Sequence, residues 1–179
     1  VMRRPDIDSL KRSALAYLAR YAASRAMLSE VLGRRVRRWA RATGAAEDGV
    51  AAALHAADEA VEAAARAGLV DDARFAAGRT ATLVRRGWPE RRIRAALGQK
   101  GIDGETARTA LAEAELDDSA AARRFAARRR LGPWRSAGAR AERREKDIAA
   151  MMRAGFSLTH ARAAIDDTVS EHSSDEMDG

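Results

Sequence analysis

The chain has no cysteine, so disulfides, thiol nucleophiles and thiolate metal ligands are excluded at the outset. Its three histidines, His55, His160 and His172, lie far apart, which does not fit the close ligand spacing of a metal site. No apolar run approaches the roughly 20 residues of a membrane-spanning helix, and the start VMRRPDID has no apolar signal core. A cytoplasmic location, away from the membrane, is the expectation. Neither the phosphate-cradling pattern GxxxxGK[ST] nor the nucleophile turn GxSxG is present. Asp71 and Asp72 would point about 100° apart on a helix, so capping explains them better than a catalytic dyad. No enzymatic activity and no cofactor are expected.

Bulky apolar side chains are also scarce. The hydrophobic fraction is 46%, yet only 39 residues are Leu, Ile, Val, Met, Phe, Trp or Tyr, and the rest are alanine. Alanine favours helix but buries little, at roughly 25 cal/mol per Å² of apolar area. One large core is therefore not expected; several thin helical cores in a row are.

Positive charge is abundant. The net charge is +7, but the last fourteen residues carry −6, which leaves +13 on residues 1–165. Such a body suits an anionic partner. The clusters are Arg85, Arg86, Arg91, Arg92, Arg94 and Lys100, then Arg123, Arg124, Arg128, Arg129 and Arg130, with Arg135 following. No acidic residue occurs between Ser119 and Arg135 to pair with them. The plain alternative is that alanine-rich helices need charge for solubility. Trp88 and Trp134 each sit beside proline and near arginine; they read either as core plugs or as anchors and stacking platforms for a partner.

Apolar spacing is helical throughout, and no segment alternates like a strand. Residues 1–9 read as a loose arm in which Asp8 or Ser9 caps a first helix, with Leu10, Ala14, Leu15, Leu18 and Tyr21 on its apolar face. Ser24 caps a second helix carrying Leu28, Leu32, Val36 and Trp39, and Thr43-Gly44 stops it. A third, from about Ala46 to Arg66, presents Val50, Leu54 and Val61 and ends at Gly68. Asp71 and Asp72 then open a helix with Phe75, Ala76, Leu83 and Val84 inward, and Gly87 ends it. Pro89 suits the first turn of the next, where Ile93 and Leu97 lie one turn apart. Gly101 is a left-handed stop, Ile102 its hydrophobic clasp and Asp103 the following cap.

The pattern recurs. Asp71-Asp72 returns as Asp117-Asp118, and Gly101-Ile102-Asp103 as Gly155-Phe156-Ser157, with eight more residues between, expected around Leu131 to Trp134. The last helix, from Ser157, presents Leu158, Ala161, Ile165 and Val169. The fold class is thus all-α: nine helices as three tandem three-helix modules in an elongated, curved arrangement. The expected boundaries are an N-terminal arm over 1–12, modules over 13–70, 71–116 and 117–169, and an acidic disordered tail over 170–179.

Several of these segments together resemble the RecX regulators of the bacterial RecA recombinase. They are Ala19-Arg20-Tyr21-Ala22-Ala23-Ser24 with Leu28 and Leu32, and Gly68-Leu69-Val70-Asp71-Asp72-Ala73-Arg74-Phe75-Ala76. Arg92-Ile93-Arg94 with Leu97 and Lys100-Gly101-Ile102 continues the likeness, as do Arg128 to Arg135 and Gly155-Phe156-Ser157. It covers about residues 14 to 169. Met27 stands where the family has a glutamate, the first unit is long between Leu32 and Gly68, and the third acidic pair is followed by Ser-Ala-Ala-Ala rather than a copy of the second-unit motif.

The resemblance implies a monomeric, non-enzymatic regulator serving DNA repair, homologous recombination and the SOS response. It would lie along the groove of the RecA filament and hinder filament extension, ATP hydrolysis, strand exchange and co-protease activity. The arginine clusters would grip the filament or DNA phosphate. Two rivals stand beside it: a basic helical protein that binds single- or double-stranded DNA without RecA, and an adaptor for a different protein.

Overall fold

The computed structural model describes residues 3–167. Val169, His172 and the tail expected over 170–179 lie outside the described residues. Among the described residues there is no strand. The helices are α1 (Ile7–Leu18), α2 (Arg25–Thr43), α3 (Glu47–Arg66), α4 (Asp72–Arg85), α5 (Glu90–Gly98), α6 (Gly104–Ala112), α7 (Asp118–Arg129), α8 (Ala137–Arg153) and α9 (Leu158–Asp166), with a 3₁₀ turn at Gly132–Trp134. No described helix is long and apolar enough to cross a membrane. The all-helical expectation holds.

Helix starts follow side-chain chemistry. Ser24, Asp103, Asp117 and Ser157 each accept a backbone N–H from the first turn of the helix they precede. At α1 the cap is Asp6 rather than Asp8 or Ser9. Asp6 accepts the Ser9 N–H at 2.9 Å while the Ser9 hydroxyl accepts the Asp6 N–H at 3.1 Å, a reciprocal box that starts the helix inside the expected arm.

Several helix ends, those of α3, α4, α5, α7 and α8 among them, share one device. The N–H of Leu69, Trp88, Ile102, Leu131 and Phe156 each reaches a carbonyl five residues back, and the residue before it has positive φ. That residue is glycine at Gly68, Gly87, Gly101 and Gly155, but Arg130 at the end of α7. The clasp expected at Ile102 is one of this set.

The chain forms two compact units. Among the described residues, unit 1 comprises 3–80 and 96–113, and unit 2 comprises 81–95 and 114–167. In unit 1, α1 and α2 both pack on α3. Leu10, Leu28, Leu32, Val36 and Trp39 pack with the face of α3 that carries Val61 and the alanines from Ala53 to Ala64. In unit 2, α7, α8 and α9 surround Ile148, Met151, Phe156 and Ile165, and the gaps are filled by alanines. Both cores are thin, as alanine's small buried area requires. Some apolar positions depart from expectation: Leu15, Tyr21 and Leu158 are exposed, and Phe75 and Val84 are only partly buried while Ala76 and Leu83 are fully buried.

Each unit contains the same packing joint. In unit 1 the Asp72 carboxylate accepts the Arg25 N–H at the start of α2, 2.8 Å away. The Ser24 hydroxyl donates to the Lys100 carbonyl, and Gly101 sits so close to Ala26 that a β-carbon there would collide with it. In unit 2 the Asp118 carboxylate accepts the Glu90 N–H at the start of α5, 3.0 Å away, and Gly155 lies against Pro89 and Arg92.

The two acids of each pair therefore divide the work. Asp71 and Asp117 cap their own helices, accepting the N–H of Arg74 and Ala120. Asp72 and Asp118 cap a helix earlier in the chain. The extra eight residues are not in the loop around Leu131 to Trp134: α8 has 17 residues where α5 has 9, so the insertion is helical.

Candidate functional site

The site grows from three elements of unit 2. The start of α5 supplies Arg91 and Arg92, the last turns of α7 supply Phe125 and Arg129, and the end of α8 supplies Met152 and Arg153. They line a cleft of about 760 Å³, and none of its lining residues is acidic. Ala95, Ala150, Ala154, Leu131 and Gly155 complete it.

Two contacts set its geometry. The Arg92 guanidinium lies over the Trp88 ring, 3.6 Å from the centroid, a cation–π stack that holds it by one face. Arg129 stands over Phe125 at 5.7 Å, and Phe125 in turn tilts against Phe156 at 5.3 Å. Trp88 is thus a half-buried platform for Arg92, and Trp134 packs on the unit 2 core.

The other expected cations are placed differently. Arg86, Arg123, Arg124 and Arg130 are exposed, with no carboxylate at ion-pair distance among the described residues. Arg85 donates to the Thr82 hydroxyl at 3.3 Å. Arg128 lies beside Gly87, 3.6 Å from where a β-carbon would stand. Arg94 pairs with Glu90 one turn back. Lys100 is in unit 1, on a cleft it shares with Met27, Glu30 and Arg34, where Glu30 already takes Arg34 at 3.4 Å and Arg37 at 3.2 Å.

Arg135 corrects the sequence reading: it belongs to the fold. Its Nε and Nη2 donate to the two Asp147 oxygens at 2.7 and 2.8 Å. Asp147 also accepts the Gly132 N–H at 2.9 Å and has a side chain only 3% exposed. The Arg135 fork, and then the Gly132 N–H, hold that carboxyl below the usual aspartate range against the opposing effect of burial. Arg140 and Arg144 are committed as well: Arg140 donates to the Pro133 and Arg135 carbonyls, and Arg144 forks onto Asp166 at 2.7 and 2.6 Å.

The cleft thus brings together Arg91, Arg92 and Arg129 from the expected set and adds Arg153, which sequence reasoning missed. Arg153 stands two residues before Gly155, in the position that Gln99 holds relative to Gly101, so the repeat carried no sign of it. Chemically, four guanidinium groups without a carboxylate offer repeated two-point recognition of carboxylate or phosphate.

Comparison with known proteins points one way. Residues 71–111 match the family model for the second three-helix domain of RecX. Over 167 residues the chain is 39% identical to the regulatory protein RecX of Myxococcus xanthus (strain DK1622), covering 92% of this chain and 88% of that protein.

Proposed function

The chain belongs to the RecX family of regulatory proteins, and on that premise we propose that it binds the RecA filament along its groove and inhibits filament extension. It thereby damps ATP hydrolysis, strand exchange and co-protease activity, and catalyses no reaction of its own. In this reading it acts in the cytoplasm as a monomer, through modules over 13–70, 71–116 and 117–169, each adding a weak contact to one polymeric target. The observation that carries the reading is the acid-free arginine cleft of unit 2, together with the exposed cations Arg86, Arg123, Arg124 and Arg130 of the same unit.

The test is RecA's DNA-dependent ATPase with the purified chain added. Inhibition at or below equimolar ratio is expected, and none would count decisively against the reading. Reversing charge at Arg91→Glu and Arg92→Glu together should abolish inhibition while the circular dichroism stays helical. Inhibition unchanged by that pair would reduce these side chains to solubilising roles.

A second reading has its own support in the unneutralised cations of α7, which suit phosphate as well as carboxylate. It predicts DNA binding without RecA, weakening steeply with salt. Nanomolar gel shifts with RecA turnover unaffected would select it.

A further inference from the structure

We infer that the arginine cleft of unit 2 receives an acidic segment of a protein partner, a short run of Asp or Glu carrying one apolar side chain, rather than a nucleic-acid strand. The inference rests on the filament reading, in that it names the kind of surface the target presents to this cleft.

Charge sets the first requirement. Arg91, Arg92, Arg129 and Arg153 share one concavity with no carboxylate among its lining, so an entering anion is favoured by all four at once. The form of that anion follows from what the guanidinium groups have free. Arg92 spends one face on Trp88, which leaves its in-plane N–H groups available as a fork. The fork geometry already occurs within the unit, where Arg135 closes on both oxygens of Asp147 at 2.7 and 2.8 Å.

The rest of the lining separates peptide from nucleic acid. Between the arginines lie Phe125 and the exposed Met152, apolar surface that a bare phosphodiester would leave wet. Methionine is the residue best able to mould itself to an incoming aliphatic side chain. Single-strand sites, by contrast, stack bases on free aromatic faces. Arg92 stands over the Trp88 ring, Arg129 stands over Phe125, and Phe125 tilts against Phe156. The aromatic rings at this cleft are thus already engaged, and carboxylates flanking an aliphatic group are what the remaining surface complements.

The experiment is fluorescence anisotropy on the full chain with a labelled peptide of sequence Ser-Asp-Glu-Leu-Glu-Asp-Gly. The comparison probes are the same peptide with Ser for Leu, an oligothymidylate of equal charge, and inorganic phosphate. The leucine peptide should bind at least about tenfold more tightly than the oligothymidylate or phosphate. Loss of the leucine should weaken it about fivefold. Arg153→Glu should weaken it at least about tenfold, whereas Arg153→Lys, which keeps the charge without the fork, should fall between. Arg38→Glu with Arg41→Glu, exposed on α2 of unit 1, should change it less than about twofold.

Three results overturn the inference. One is equal peptide binding by the wild type and Arg153→Glu, both with helical spectra. Another is oligothymidylate binding as tightly as the peptide. The third is binding more than about tenfold tighter in a chain ending at Asp167, which would give the cleft to the chain's own acidic residues. The two readings also fail separately. Peptide binding without RecA inhibition removes the filament role and upholds this inference, whereas RecA inhibition without peptide binding does the reverse.

Discussion

Arg130 closes α7 with φ 53, in the left-handed region that Gly68, Gly87, Gly101 and Gly155 occupy at the equivalent stops. A side chain in that region costs about 1 kcal/mol that glycine avoids. Arg130→Gly should therefore raise the thermal midpoint by roughly 2–4 °C in a chain of this length; a fall would mean that the arginine side chain holds the turn by contact. At Asp147 the direction is set by pH. The carboxyl's lowered pKa means that the unfolded chain binds the proton more readily, so stability rises with pH through this group. Its contribution is complete above the ordinary aspartate value of about 3.9 and is lost as pH falls through the lowered one. Asp147→Asn should lower the urea midpoint at neutral pH and flatten its decline as pH falls below the ordinary aspartate range; an unchanged acid limb would show that the pair contributes nothing to it.

Between elements, the joints of the two units carry the specificity. Gly101 and Gly44 have similar positive φ, 75 and 61, but a β-carbon at Gly101 would run into Ala26 while one at Gly44 meets nothing within 4 Å. Gly44→Ala should cost only the backbone strain, about 1 kcal/mol. Gly101→Ala should add an overpacking cost of about 1–3 kcal/mol. Equal urea midpoints for the two variants would mean that the α2 start yields freely and that the joint is loose. The acidic pairs illustrate what local reading reaches. Asp71 and Asp117 cap their own helices, which neighbouring residues make evident. That Asp72 serves Arg25, 47 positions back, and Asp118 serves Glu90, 28 back, is a matter of packing.

For the molecule as a whole, +13 on residues 1–165 makes association with an anionic polymer sensitive to ionic strength. Raising salt from about 50 to 300 mM shortens the screening length from about 14 to about 6 Å, still longer than an ion-pair distance, so long-range attraction and the encounter rate should fall more than the contacts within the cleft. Stopped-flow association with RecA filaments should slow markedly and dissociation change little; the opposite split would place the binding energy on solvated cations such as Arg123 and Arg124.

Among the described residues, the helices, most of their caps and their glycine stops could be read from the sequence alone, the Asp6 cap of α1 and the Arg130 stop of α7 excepted, because backbone hydrogen bonding and apolar period are settled within a few residues of chain. The surplus of arginine over acid was equally plain. Which arginines remain free was decided only by tertiary structure: Asp147 claims Arg135 from twelve residues away, Asp166 claims Arg144 from 22, and Arg153 joins Arg91, Arg92 and Arg129. An ion pair or a cleft needs groups that the chain order keeps apart, and only the packing of thin alanine cores brings them within reach.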